Sequence, residues 1–122
     1  MHNNLMYICS MYSKELLKGT LKTIVLKLLT ENGQMYGYEI TQKVKELTEG
    51  KIVLTEGALY PTLHKLEAAG LVASHTQSIG KRIRKYYSVT SSGANQASSL
   101  ANEFVEFVQT ILFLLNPQLS KK

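Results

Sequence analysis

The chain has 122 residues, 44% of them hydrophobic and 19% charged, with a formal net charge of +5. That length and balance suit one globular domain with a terminal extension and exclude a low-complexity or disordered chain. The positive surplus favours an anionic partner and says nothing about fold.

Residues 1–14 read as an N-terminal leader. Leu5, Met6, Tyr7 and Ile8 sit among polar residues, without the basic start and long apolar stretch of a secretion signal. Met11 is a second candidate start. The single cysteine, Cys9, has no internal partner, which fits a reducing, cytoplasmic setting. His2, His64 and His75 are scattered along the chain and give no zinc spacing, so no metal or cofactor is expected. No apolar run approaches the roughly 20 residues of a membrane span, so no membrane partner is expected.

Residues 15–90 read as a compact unit. The spacing of Leu17, Leu21, Ile24 and Leu28, widened by Val25 and Leu29, predicts a helix from Glu15 to Glu31. Asn32-Gly33 ends it, because glycine takes the left-handed turn of a helix stop. A second helix follows from Tyr36 to Leu47, with Ile40, Val44 and Leu47 on one face and Lys43, Lys45 and Glu46 on the other. Glu49-Gly50 breaks it, and Lys51 to Leu54 reads as a short strand or an extended link.

Thr55 is placed to cap a third helix, since its hydroxyl can accept a free backbone N–H. Leu59, Leu63 and Leu66 point inward, and Gly70 with Leu71 suits the end of that helix. Pro61 lacks a donor and crowds the preceding turn. Either the helix begins near Pro61 or it tolerates a distortion in its first two turns. Leu71 to Gln77 and Ile83 to Val89 then read as two strands around a loop of Ser78 to Arg82. In the second strand Ile83, Lys85, Tyr87 and Val89 alternate with Arg84, Tyr86 and Ser88, giving one edge apolar enough to pack. Thr90 or Ser91 caps a last helix, which runs to about Leu115 before Pro117. Residues 117–122 form a frayed tail. The expected fold is mainly α with a small β wing: a winged helix-turn-helix followed by one long C-terminal helix.

Two surfaces carry functional signals. At 100° per residue, Gly57, Pro61, His64, Lys65 and Ala68 face away from the leucines of the third helix, with Tyr60 at the flank. The set is small or polar, so the backbone can sit close to base edges. Thr62, His64, Lys65 and the Tyr60 hydroxyl can donate to bases or phosphates. Glu56 complements the helix dipole at the start. The second surface is the run from Gly80 to Tyr87, where Lys81, Arg82, Arg84 and Lys85 stand with no acid among them. Cations held at a hairpin tip beside a helix match what duplex DNA asks for. The plainer alternative is a solvated helix face beside a hairpin whose charges keep its edge soluble.

The last helix, residues 91–116, has two adjacent apolar seams. One is Leu100, Phe104, Phe107, Ile111 and Leu114; the other is Ala101, Val105, Val108, Leu112 and Leu115. One seam suffices for the domain core, and a second would be a liability on a monomer. The expectation is a homodimer whose interface uses Leu100, Phe104, Phe107, Val108, Ile111, Leu112, Leu114 and Leu115. The alternative is a helix covered on both faces by the first helix and the leader.

These residues resemble the PadR family of winged-helix transcriptional regulators. The matching pieces are Leu17-Lys18-Gly19-Thr20-Leu21, Tyr36-Gly37-Tyr38-Glu39-Ile40, the run Thr55 to Leu71 with Leu59-Tyr60-Pro61 inside it, and Lys81 to Thr90 with Gly93 beyond. The resemblance spans about residues 16–93. It implies a third helix that runs through Pro61, a homodimer joined by the C-terminal helix, and repression through palindromic operator DNA. The implied DNA contacts are Tyr36, Tyr38, Thr55, Gly57, Tyr60, Pro61, Thr62, His64, Lys65, Lys81, Arg82, Arg84 and Lys85. Some relatives stack flat aromatic or cationic compounds between tryptophans. This chain has no Trp, so that chemistry does not carry over. A small aromatic effector stays open, with Phe104, Phe107 and Phe113 able to line an apolar pocket. Two further readings stand beside the repressor: a ligand-sensing dimer, and a protein adaptor that uses the wing fold without DNA. No paired carboxylates, Ser/His/Asp grouping or phosphate-binding glycine loop points to an enzyme.

Overall fold

The structure is a computed structural model that describes residues 10–118. Cys9, His2, most of the expected leader and the tail beyond Gln118 lie outside the described residues.

Helix α1 (Lys14–Asn32) starts where the Ser13 hydroxyl accepts the Leu16 N–H at 3.3 Å. It ends at Gly33, whose φ of 77° is positive as expected of that glycine, but whose ψ of −138° lies outside the left-handed helical turn. Strand β1 (Met35–Tyr36) comes next and was not expected. Two residues show no alternation, so only their later partners reveal the strand. Tyr36 is therefore extended, not helical, and stands as the cap of α2 (Gly37–Leu47); the Glu39 carboxylate accepts its N–H at 3.1 Å. Leu47, expected inward, is 65% exposed. The chain turns away from the core directly after it, through Glu49 and Gly50 at positive φ.

Residues 51–55 form an extended link outside any strand. Its backbone groups find partners in the last residues of the leader. The Ser10 hydroxyl donates to the Val53 carbonyl at 3.0 Å and accepts the Val53 N–H at 2.7 Å. The Met11 N–H donates to the Lys51 carbonyl at 3.0 Å.

Helix α3 (Glu56–Ala68) runs through Pro61. The proline removes the N–H that would reach the Gly57 carbonyl. Both residues are exposed, so water can serve that carbonyl. The helix closes with Gly70 at φ 78°. The Leu71 N–H returns to the Leu66 carbonyl and the Gly70 N–H to that of Glu67, a Schellman ending.

Strands β2 (Val72–Ile79) and β3 (Arg82–Val89) pair antiparallel, from Val72 opposite Val89 to Ile79 opposite Arg82. With β1 they make a three-stranded sheet in the order β1–β3–β2. The loop is only Gly80-Lys81, tighter than the five residues expected. Glycine at the first loop position with φ 60° marks a type II′ turn, whose twist suits the strands it joins. Ile83, expected on the packing edge, is 72% exposed because the hairpin extends past the helices. Burial along β3 is complete only at Tyr87.

Helix α4 (Ser91–Leu115) begins at Thr90, whose hydroxyl accepts the Gly93 N–H at 3.0 Å. It packs back along α1. The core joins Leu21, Val25, Leu26, Leu28 and Leu29 of α1 to Ile40, Val44, Leu59, Leu63, Leu66, Val72, Tyr87 and Ala97. Only Gly93 and Ala97 of α4 are buried. By length and composition α4 is long and apolar enough to cross a membrane, which corrects the reading that no segment approaches a span. Its uncharged run is short, with Glu103 and Glu106 in the middle of the helix, but two apolar seams raise its mean hydropathy.

Candidate nucleic-acid interface

Three leucines set the rotation of α3. Leu59 and Leu63 are fully buried and Leu66 nearly so, so the opposite face is fixed outward. Gly57, Pro61, His64, Lys65 and Ala68 are all exposed. The side chains of His64 and Lys65 make no hydrogen bond or ion pair among the described residues, and keep their donors for a partner. Thr55 and Thr62 are partly committed. The Thr55 hydroxyl accepts the Ala58 N–H at 3.2 Å, and the Thr62 hydroxyl donates to the Ala58 carbonyl at 3.2 Å.

Tyr60 sits between helices, not on the outward face. A Cβ at Gly37 would collide with the Tyr60 hydroxyl and ring, so glycine at the start of α2 is what leaves room for the Tyr60 ring there. The Tyr60 pKa is raised, first by burial, then by the Glu56 carboxylate and by Tyr87. Gly37 is thus a positioning residue that sequence reasoning read only as part of a motif. Tyr38, next in the first turn of α2, is 56% exposed on the same end.

The hairpin presents the second surface. Lys81, Arg82 and Lys85 are exposed. The Arg84 guanidinium lies over the Tyr36 ring, 4.2 Å from its centroid. Tyr36 meets Tyr86 edge-on at 5.4 Å, and His75 stacks on Tyr86 at 5.8 Å. The Arg84 pKa is raised, chiefly by hydrogen bonding to the Tyr86 side chain, with burial opposing. No carboxylate forms an ion pair with Arg84 among the described residues; the ion pair there is Lys27 with Glu31 on α1. Aromatic rings orient the cation without neutralising it. The chain has no acidic residue between Glu67 and Glu103, so the wing carries only positive charge of its own, with Glu39 of α2 the carboxylate that acts on Arg84.

Glu67 itself, the last acid before that stretch, braces the wing. Its carboxylate accepts the Ser74 hydroxyl at 2.6 Å, tying β2 to the end of α3. Thr90 adds a second tie by donating to the Gly70 carbonyl at 2.7 Å. Gly93 makes a third, since a Cβ there would strike the Leu71 carbonyl. Ser74, Thr90 and Gly93 gave no signal as positioning residues in the sequence, because their partners sit across the fold. The structure brings Tyr36 and Arg84 together. It leaves the α3 face and the wing tip as two separate areas, with the tip about 17 Å along the strand from Ser74.

On α4 the expected interface splits. Leu100 packs against the core, and Val108, Ile111 and Leu112 are half-buried. Phe104, Phe107, Leu114 and Leu115 are exposed, together with Val105 and Phe113, which the expected interface had omitted. Among the described residues no cluster of His, Cys, Asp or Glu could hold a metal ion.

Residues 25–99 match the transcriptional regulator PadR-like family. The chain belongs to that family. It is 32% identical over 80 residues to transcriptional regulator Rv3488 of Mycobacterium tuberculosis, covering 66% of this chain and 71% of that protein. A PadR family transcriptional regulator from Eggerthella lenta superposes with a TM-score of 0.74 at 30% identity, covering 84% of this chain and 87% of that one. Bacillus subtilis PadR in complex with operator DNA gives a TM-score of 0.61 at 30% identity, covering 66% of this chain and 46% of that longer chain. The PadR match contains α2, α3 and the wing entire. It stops before the exposed phenylalanines of α4, and it begins after Leu17 to Leu21.

Proposed function

We propose that this PadR-family chain is a cytoplasmic transcriptional repressor that binds palindromic operator DNA as a homodimer. Residues 15–90 hold the duplex, with α3 in the major groove and the wing on the flanking backbone; residues 91–116 join the two copies. The observation that carries the reading is the cluster of Lys81, Arg82, Arg84 and Lys85 with no acid among them, braced through Glu67 and Ser74 to a helix whose outward face is small or polar. Phosphates supply most of the affinity of such a surface, and the helix face supplies what reads the bases. The operator-bound B. subtilis PadR supports the same assignment. Dimerisation is supported by the exposure of Phe107, Leu114 and Leu115 at 58%, 72% and 77%, since isolated chains rarely keep so large an apolar patch in water.

Selection of bound genomic fragments by the purified protein tests DNA binding and returns the operator at once. On a recovered fragment, Arg82→Ala and Arg84→Ala should each weaken binding to all sequences and lower the salt slope by about one unit. Unchanged affinity in both variants would remove the wing from the interface.

A second reading rests on the same α4 surface: Phe104, Phe107 and Phe113 could receive a small aromatic effector between two copies, which releases the DNA. A thermal-shift screen with planar aromatics tests it, because a ligand bound to the folded state raises Tm. No shift at high ligand concentration would remove it.

A further inference from the structure

The tip of the wing carries two apolar side chains that the fold does not use. Ile83 is 72% exposed and Ile79 41%. Solvent-facing edges are normally kept polar, and this tip has four cations to keep it so. Ile83 pairs opposite Ser78, and Ile79 opposite Arg82. Strand alternation therefore sets the two isoleucines on opposite faces. Ile83 shares its face with buried Tyr87 and with Ser74, the residue bonded to Glu67 of α3. It projects on the α3 side of the hairpin, about 13 Å past that anchor. Lys81, Arg82, Arg84 and Lys85 surround it in sequence.

Building on the DNA reading above, we propose that Ile83 is an apolar wedge that enters the minor groove and partly unstacks one base step per wing. The minor groove is about 6 Å wide, too narrow for the two-stranded ribbon itself, so only a side chain at the tip has to enter it. Isoleucine is among the side chains that minor-groove proteins insert between base steps. The cations anchor the tip on the phosphates but read no sequence. Ile83 adds an energy that depends on how easily a step opens, which is greatest at pyrimidine–purine steps. The wing thereby acquires a sequence preference without a hydrogen bond to any base.

The test uses the full chain on a selected fragment in which 2-aminopurine replaces adenine at successive steps, since its fluorescence rises on unstacking. Wild type should give a rise at one step per wing. Ile83→Thr keeps the β-branch that suits a strand and loses the apolar tip; it should abolish the rise, weaken binding severalfold and leave the salt slope unchanged. Ile83→Leu and Ile79→Thr should keep the rise. Bound wild type with no rise at any step, an equal rise with Ile83→Thr, or an equal loss with Ile79→Thr overturns the wedge and leaves the DNA reading intact. So does a changed oligomeric state in Ile83→Thr. Wild type that binds no duplex overturns both.

Discussion

The two ends of this chain solve the problem of apolar surface differently. The winged unit closes its own core, with Val25, Leu26, Ile40, Leu59 and Leu63 wholly out of water. The far half of α4 does the opposite, with Phe107, Phe113, Leu114 and Leu115 all more than half exposed. One region buries its apolar side chains within a single chain; the other leaves them in water. The family match, which ends at residue 99, leaves out the exposed phenylalanines.

Substitutions can break that contrast. Leu59→Ala leaves a cavity in a closed core and should cost about 3 kcal/mol in denaturant unfolding. Leu115→Ala, measured in dilute protein, should stay within about 0.5 kcal/mol. Equal losses would mean that α4 is covered by its own chain. Phe107→Glu should raise the dimer dissociation constant by roughly 30-fold, about 2 kcal/mol, in sedimentation, because it brings a carboxylate into an apolar contact. The same variant should leave the unfolding of the dilute chain almost unchanged.

Two glycines sharpen the comparison. Gly93→Ala drives a methyl into the Leu71 carbonyl, which cannot yield as a side chain can, and should cost about 2 kcal/mol. Gly19, in the middle of α1, has open space where a Cβ would go. Gly19→Ala should therefore stabilise the dilute chain by about 0.5–1 kcal/mol. A loss in place of that gain, appearing only at high concentration, would put a second copy against α1. The smallest effect is a pH dependence. Because the Tyr60 pKa is raised in the fold, its contribution is full below the ordinary tyrosine pKa near 10 and is lost as pH climbs through the folded value. Chemical denaturation across that alkaline range should show a shallower decline for Tyr60→Phe.

Most of the element order was legible because helices announce themselves locally. Leu59, Leu63 and Leu66 fixed a face, and Thr55 and Thr90 announced caps that the structure bears out. What failed was non-local. Strand β1 exists only because Met35 and Tyr36 meet Tyr87 and Tyr86. The hairpin loop looked longer because Ser78 has little strand propensity of its own; pairing with Ile83 makes it a strand residue. Pro61 could not be settled by its own chemistry, since the outcome turned on whether the Gly57 carbonyl could face water. The cationic tip was legible as a charge pattern. The bracing through Glu67, Gly37 and Gly93 was not, because a close approach leaves no periodic trace.

The reciprocal bonds between Ser10 and Val53 make a single hydroxyl the clamp on a stretch that belongs to no helix or strand. Ser10→Ala would leave the peptide group of Val53 to be solvated, and the connection from α2 to α3 would be held more slackly.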